Sequence, residues 1–358
     1  MIFNRIIILF LASLLYLTNF STVLAQQAPN VVAEMAILID ASTGRVLYEK
    51  NADMRAYPAS TTKLLTLVTA LDYNNHRPTA YVSRYAASME GSSMHVRAGE
   101  TYTFDEILYG MMLPSGNDAA VVVAEHIAGD INSFARLMNL KARNIGMRNS
   151  NFVNPSGLPN NNHYTTARDL SILARYAMNN PTVMQIVGTY KKPWQRKNFS
   201  QPSIITNTNK LLDTYYGATG MKTGQTSLAK RCLIASAERN GVSLIVVLLK
   251  SENYCWNDAS KLLDYGFSQI SSKVIYKAGD VIDTVPVYRR KDKVEVTVAE
   301  DLVLTSFNDN FDEYTVEVIP SKRLFAPVEE GQEAGIIRIL HKGKEIRTVN
   351  LVTKASVN

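Results

Sequence analysis

Apolar runs and polar turns alternate along this chain in rhythms that change from one region to the next. Ala36-Ile37-Leu38-Ile39-Asp40, a turn at Ala41-Ser42-Thr43-Gly44 and Arg45-Val46-Leu47-Tyr48 predict a β-hairpin. Far downstream, Cys232 to Glu238, the dipeptide Asn240-Gly241 and Val242 to Lys250 predict a second, with a turn that fits strand twist. Gly217 to Lys222 reads as a neighbouring strand. One mostly antiparallel sheet, built from both ends of a domain, is the expectation. Between the strand groups the period becomes helical. Thr103-Phe104-Asp105-Glu106 is a capping box opening a helix toward Leu113, and Asp118 to Ala128 carries apolar residues at helical spacing. Phe134 to Ile145 stops at Gly146, Thr166 to Asp169 starts another helix, and Asn257 to Tyr265 predicts a last one ending at Gly266. The pattern is α/β: an antiparallel sheet with a helical cluster inserted between its strands.

From about Val274 the texture changes to short runs of β-formers between charged turns. Val281–Val287, Lys293–Val298, Glu313–Ile319 and Gly335–Leu340 predict a small all-β domain. At the other end, Arg5, the apolar run Ile6 to Leu17 and the small-residue site Val23-Leu24-Ala25 have the layout of a secretory signal peptide, with removal expected after Ala25. An uncleaved anchor is the alternative, although the run is shorter than the about 20 residues that a spanning helix needs. The expected organisation is a signal peptide at 1–25, a catalytic domain at 26–272 and a β domain at 273–358. The working part is expected outside the cytoplasm.

The formal charge of +6 becomes +5 once Arg5 leaves with the signal. Lys and Arg are scattered among nearly as many acids, which argues against nucleic-acid binding and suits an exported protein near anionic envelope polymers. The densest basic stretch, Lys191 to Lys197, reads as a solvated loop. Cys232 and Cys255 are the only cysteines, and buried free thiols are the expectation. With no H-E-x-x-H, no C-x-x-C and five separated His, no metal site is expected.

Candidate chemistry lies in three strings: Ser60-Thr61-Thr62-Lys63, Ser115-Gly116-Asn117 and Lys222-Thr223-Gly224. Each is cheap alone, and Ser227-Leu228-Ala229-Lys230 repeats the first pattern. Ser60 precedes the apolar helical run Leu64 to Leu71, so it sits where unpaired N–H groups favour developing negative charge. Lys63, one turn on, can bring its amine to the Ser60 hydroxyl. An N-cap serine with a first-turn lysine fits the same letters. For Lys63 to act as a base near pH 7, its ordinary value of about 10.4 must fall, a bias of roughly 4 kcal/mol that burial and a second cation such as Lys222 could supply. Ser115 and Asn117, on a turn between helices, can relay a proton and hold a carbonyl. Lys222 and Thr223 offer a cation and a hydroxyl to a carboxylate, and Gly224 would allow a substrate close.

Taken in this order, the strings resemble the penicillin-binding proteins and serine β-lactamases. Further stretches, among them Tyr57 to Lys63, Pro114 to Ala119, Asn154-Pro155-Ser156-Gly157, His163 to Asp169, Asn207 to Leu212 and Gly220 to Thr226, resemble the low-molecular-mass D-alanyl-D-alanine carboxypeptidases. The resemblance runs from about Val31 to the end. It implies that Ser60 is acylated by a penultimate D-alanine, that Lys63 takes its proton, and that Ser115 and Asn117 assist proton transfer and positioning. Lys222 and Thr223 would lie near the terminal carboxylate. Backbone N–H groups of Ser60 and Gln225 would form the oxyanion hole. The implied partners are peptidoglycan stem peptides ending in D-Ala-D-Ala and β-lactams as covalent inhibitors, with no cofactor.

Two departures stand out. Ala229-Lys230-Arg231 replaces a stretch that usually carries a glycine, and Leu351 to Asn358 alternates like a strand instead of forming an amphipathic anchor. Lys250 is a further candidate for the substrate carboxylate, and His163 is expected to serve as a structural hydrogen bonder. A β-lactamase would need an acidic deacylation residue, and the segment after Phe152 to Pro155 offers none. A D,D-endopeptidase and a silent wall-binding protein remain as rivals.

Overall fold

The computed structural model describes residues 27–73, 78–195, 203–252, 254–307 and 311–357. The expected signal peptide lies outside them. The chain begins with strands β1 (Met35–Asp40) and β2 (Val46–Lys50), then a 3-10 turn (Ala59–Thr61) that runs into helix α1 (Thr62–Asp72). Strand β3 (Thr79–Tyr81), α2 (Arg84–Ala87), β4 (Thr101–Thr103), α3 (Phe104–Met112), α4 (Asn117–Ala128) and α5 (Ile131–Ile145) follow. Next come α6 (Ala167–Met178), α7 (Pro181–Gly188), β5 (Lys191–Trp194), β6 (Ser203–Thr206) and α8 (Leu211–Thr214). Strands β7 (Ala218–Thr226), β8 (Lys230–Arg239) and β9 (Val242–Ser251) and helix α9 (Cys255–Ser268) close this part.

The main sheet has the order β2-β1-β9-β8-β7, so strands from both ends of the sequence meet in its middle. Residue parity assigns each side chain to a face. Met35, Ile37, Ile39, Ile245, Val247, Leu249 and Ile234 join the core under the helical cluster. Ala36, Leu38, Leu244, Val246, Leu248 and Leu233 join a second core under α9. Two covered faces explain why β1 and β9 read as continuous apolar runs and not as alternation. Turn chemistry supports the hairpins. The Asp40 carboxylate accepts the Ser42 N–H and both the Ser42 and Thr43 hydroxyls, and Asn240 and Gly241 take φ of 50° and 75° in the turn between β8 and β9.

Helix signals act as expected at α3, where Thr103 and Glu106 exchange capping bonds, and at α5, which stops at Gly146 with φ of 101°. Helix α9 differs. It runs through Gly266 to Ser268, because that glycine serves packing: a Cβ there would lie 2.7 Å from a Leu244 methyl and 3.0 Å from one of Leu38. Lys191–Trp194 also departs from the solvated-loop expectation. It pairs with β6, since Trp194 is buried and stacks on Tyr102 at 5.4 Å while Lys192 lies over the Tyr109 ring. Helix α4 is buried along Asn117–Ala124, which makes its first turn a rigid mount.

Beyond α9 the chain enters β10 (Ile270–Tyr276), β11 (Val281–Pro286), β12 (Lys293–Val298), β13 (Leu302–Phe307), β14 (Tyr314–Pro320), β15 (Glu333–His341) and β16 (Lys344–Thr353). Strand β10 pairs with β13, and the rest form a sheet of order β11-β12-β16-β15-β14. The strand-like tail ahead of Asn358 contributes its first residues, Leu351 to Thr353, to β16. The architecture is thus an antiparallel sheet with helices on both faces, followed by an all-β domain. Among the described residues no helix is long and apolar enough to cross a membrane.

Candidate active site

Ser60 lies in the 3-10 turn just ahead of α1, and α1 carries no side-chain cap bond at its start. The N-cap position of α1 is Thr61, so the Ser60 hydroxyl is not the cap of that helix. Ala59, immediately before it, adopts φ of 47°, a left-handed conformation that costs a non-glycine residue about 1–3 kcal/mol. Packing holds that strain in place: a Cβ on Gly157 would come within 1.8 Å of the Ala59 carbonyl oxygen, so only glycine lets the two backbones meet.

Lys63, in the first turn of α1, has no solvent exposure. Its Nζ lies 2.9 Å from Ser60 Oγ, 2.7 Å from Asn117 Oδ1 and 2.9 Å from the Ser156 carbonyl oxygen. Two of these neighbours can only accept. A neutral amine satisfies both with its two N–H bonds and turns its lone pair to the Ser60 hydroxyl. Burial pushes the Lys63 amine well below its ordinary range, the nearby Lys222 charge lowers it further, and Asp118 opposes them.

The second string bridges α3 and α4. Asn117 Oδ1 accepts a hydrogen bond from Lys63 Nζ and its Nδ2–H donates to the Glu90 carbonyl at 2.7 Å, so its amide orientation is fixed from both sides. Asp118, buried, accepts the Met94 and Val96 N–H groups and the Ser93 hydroxyl, which ties the loop over residues 90–96 to the helix start. Ser115 has φ of 66°, and its buried Oγ has no hydrogen-bonding partner among the described residues. Lys222 Nζ shares that condition. Burial lowers the Lys222 amine to about 7. Unpartnered buried polar atoms of this kind call for an explanation, and both lie beside Ser60 and Lys63.

The third string lies on β7, the edge strand of the main sheet. Substrate was expected against Gly224. What comes close is the backbone of Ser60 and Thr61, since a Cβ at Gly224 would sit 2.7 Å from Ser60 N and 3.0 Å from Thr61 N. Thr223 Oγ1 meets Thr208 Oγ1 at 2.5 Å. Asn209 donates to the Gly220 carbonyl at 2.8 Å, and Asn207 caps the Asn209 N–H, so the segment 207–209 braces β7 from outside. Ser60, Ser115, Thr223, Gly224 and Gln225 border one cleft of about 230 Å³, which Arg231, Cys232 and Cys255 also line. Both cysteines are buried free thiols. A larger cavity of about 680 Å³ borders Arg55, Tyr57 and Tyr164 but not Ser60.

Lys250 lines that larger cavity and pairs with Glu34 at 2.7 Å, which removes it from the catalytic cleft. Ser227 and Leu228 are exposed in the turn between β7 and β8, and Lys230 pairs with Glu252 at 3.6 Å, so the second copy of the first string builds no nucleophile and base. His163 is buried and lowered to about 4 by burial. Its Nδ1 accepts the Val153 N–H at 3.2 Å, which leaves Nε2–H to bond Thr62 Oγ1 at 2.9 Å, a structural role beside Lys63. Sequence reasoning missed the Ser156 carbonyl as a Lys63 partner and Thr208 as a neighbour of Thr223. Turn-forming Asn154-Pro155-Ser156-Gly157 was the available signal. Asn154 Oδ1 accepts the Ser156 and Gly157 N–H groups and so aims that carbonyl. Among the described residues no group of His, Cys, Asp or Glu side chains could hold a metal ion.

A serine on a strained turn, an enclosed lysine against its hydroxyl, and a second serine with an asparagine across a cleft from an edge strand form an arrangement suited to a serine hydrolase. Comparison with known proteins narrows this class. Residues 22–253 match the D-alanyl-D-alanine carboxypeptidase family, and residues 271–358 match the C-terminal domain of penicillin-binding protein 5. The chain is 36% identical over 323 residues to D-alanyl-D-alanine carboxypeptidase DacF of Bacillus subtilis, covering 88% of this chain and 82% of that one. It is 31% identical to DacA of Escherichia coli over 90% of this chain and 83% of that protein. The crystal structure of penicillin binding protein 5 from Haemophilus influenzae superposes with a TM-score of 0.66 at 29% identity, over 93% of this chain and 99% of that one. The chain belongs to the D-alanyl-D-alanine carboxypeptidase family.

Proposed function

We propose that this protein removes the terminal D-alanine from peptidoglycan stem pentapeptides through an acyl-enzyme on Ser60, and that β-lactams acylate the same hydroxyl. Carrying the reading is the Lys63 amine, enclosed, 2.9 Å from Ser60 Oγ and held by two neighbours that only accept. As the Ser60 oxygen attacks the carbonyl of the penultimate D-alanine, Lys63 Nζ takes the hydroxyl proton. The oxyanion is met by the N–H groups of Ser60 and Gln225, each worth about 3–4 kcal/mol in comparable acyl transfers. Ser115 Oγ relays a proton to the departing amine and takes back the one that Lys63 received from Ser60, Asn117 positions Lys63 and the substrate, and Lys222 and Thr223 face the terminal carboxylate. Water then hydrolyses the ester.

The catalytic domain in this reading is 26–272, the β domain 273–358 is a spacer or docking surface, and the site of action is the periplasm or the outer face of the cytoplasmic membrane. No Asp or Glu lines the cleft among the described residues, which disfavours rapid turnover of a β-lactam. Release of D-alanine from a pentapeptide ending in D-Ala-D-Ala is the direct test. Ser60→Ala is expected to abolish both that release and the covalent adduct with a labelled penicillin. An adduct that survives in the mutant overturns the assignment.

A further inference from the structure

The β domain carries a surface feature that the proposed chemistry leaves unused. At one end of its larger sheet, the turn between β11 and β12 meets the segment that follows β14. Val287 pairs with Leu324, the Tyr288 N–H donates to the Leu324 carbonyl at 2.8 Å, and the Leu324 N–H donates to the Pro286 carbonyl at 2.9 Å. Val287 and Leu324 are buried in one core cluster, which fixes both segments. Around them Arg289, Arg290, Lys291 and Lys293 of the first segment and Lys322, Arg323 and Phe325 of the second are all exposed. The Tyr288 ring, 40% exposed, has the Arg289 and Arg323 guanidinium groups over it, each at 5.2 Å, and the Phe325 ring beside it at 5.2 Å. Phe325 itself is 62% exposed.

Charge sets this tip apart. Its six cations meet one acid within the two segments, Asp292, which leaves +5, as much as the whole exported chain carries. The next acids along the chain, Glu329 and Glu330, belong to a separate turn, where their N–H groups donate to Gln332 and Ser356. Elsewhere in the domain Arg338, Lys342, Arg347 and Lys354 rest on carboxylates, whereas none of the six forms an ion pair among the described residues. Two guanidinium groups over one ring repel each other, and each keeps its in-plane N–H donors free for phosphate oxygens. A soluble polyanion would answer the charge and leave the exposed phenyl ring unexplained. The layer of lipid head groups answers both, because it is anionic outside and accepts aromatic rings.

We propose that this tip docks the β domain on an anionic phospholipid surface, with the cations on head-group phosphates and the Phe325 and Tyr288 rings entering the interfacial layer. Binding of this kind scales with buried apolar area plus attraction to anionic lipid, and the tip supplies both. The contact is made by two loops at the end of a sheet and uses no helix. It goes beyond the carboxypeptidase reading and does not rest on it.

The test is cosedimentation of the exported protein with vesicles of one part phosphatidylglycerol to two parts phosphatidylcholine, beside vesicles of phosphatidylcholine alone. Binding is expected to the first and not to the second, and to weaken with added salt. Each cation removed is expected to cost about fivefold, so Arg289→Gln combined with Arg323→Gln should weaken binding about 10- to 30-fold. Lys291→Gln combined with Lys322→Gln, which leaves the ring stack in place, should do the same. Phe325→Ser should weaken vesicle binding and leave retention on immobilised polyphosphate as it was. Equal binding to both kinds of vesicle, or undiminished binding in both charge variants, overturns the proposal. So does a Phe325→Ser protein that binds vesicles like wild type, which would assign the tip to a soluble polyanion.

Discussion

Replacing Gly224 with alanine isolates one steric contact at the heart of the site. Gly224 does not occupy the left-handed region, so alanine fits its backbone. The added methyl would lie 2.7 Å from Ser60 N, about 0.7 Å short of ordinary van der Waals contact at 3.4 Å, with Ala59 Cβ and Thr61 N each at 3.0 Å. None of these atoms ends a flexible side chain, so relief must come from the 3-10 turn or from β7. If the turn moves by that amount, Ser60 Oγ leaves the 2.9 Å contact with Lys63 Nζ and passes beyond hydrogen-bond range. Overpacking of this kind costs about 1–3 kcal/mol of stability, and a misplacement near 1 Å costs about 10²-fold in rate. The assay is the second-order rate of acylation by a fluorescent penicillin, with a melting curve beside it. The expected result is a folded protein with acylation slowed about 10- to 100-fold, equally for small and large acyl donors. A loss that grows with donor size would show that Gly224 makes room for substrate, and a rate within twofold of wild type would refute the steric argument altogether.

Two further outcomes follow from the buried titrating groups. Lys222 is lowered in the fold to about 7, whereas the unfolded chain holds its proton to about 10.5, so the unfolded state binds more protons between those values and stability rises with pH across that window. Lys222→Met removes this cost: its melting temperature should exceed wild type near pH 6, with the advantage shrinking steadily as pH rises from 7 toward 10.5, and a gap independent of pH would refute the burial cost. His163, lowered to about 4 from 6.5, stays neutral in the fold, so its contribution is present above pH 6.5 and is lost as pH falls toward 4. His163→Ala should cost about 1–3 kcal/mol at pH 7 through the orphaned Thr62 hydroxyl and Val153 N–H, with the gap from wild type narrowing in acid, as thermal melts at several pH values would show.

What the letters disclosed depended on whether a feature is local. The hairpins around Ser42 and Gly241 and the capping box at Thr103 are set by residues within a few positions of one another, so periodicity and turn chemistry reveal them. Gly266 read as a stop because its real reason, contact with Leu38 and Leu244, comes from strands distant in sequence. Lys191–Trp194 read as a loop because charge masked the one residue, Trp194, that buries and stacks. At the site, Ser60 and Lys63 were legible since one helical turn joins them. The Ser156 carbonyl was not, because a backbone atom delivered by a turn 93 positions away leaves no side-chain signature.

The same distinction explains how a lysine can serve where a histidine is more usual. Lysine needs a large bias toward its neutral form, and no single neighbour supplies it. Here enclosure comes from α1, α4 and the turn at Ser156 together, while Lys222 adds a like charge from a strand of the sheet. Each contributor also costs stability: left-handed backbone at Ala59 and Ser115, and unpartnered polar atoms on Ser115 and Lys222. Those costs fall on residues beside the most buried parts of the scaffold, the start of α1, the fully packed helix α4 and, for Lys222, the buried middle of β7, whose apolar surroundings can offset them. The lysine base we propose is therefore a property of the whole junction between helix cluster and sheet, which is why three strings distant in sequence had to occur together before any of them carried weight.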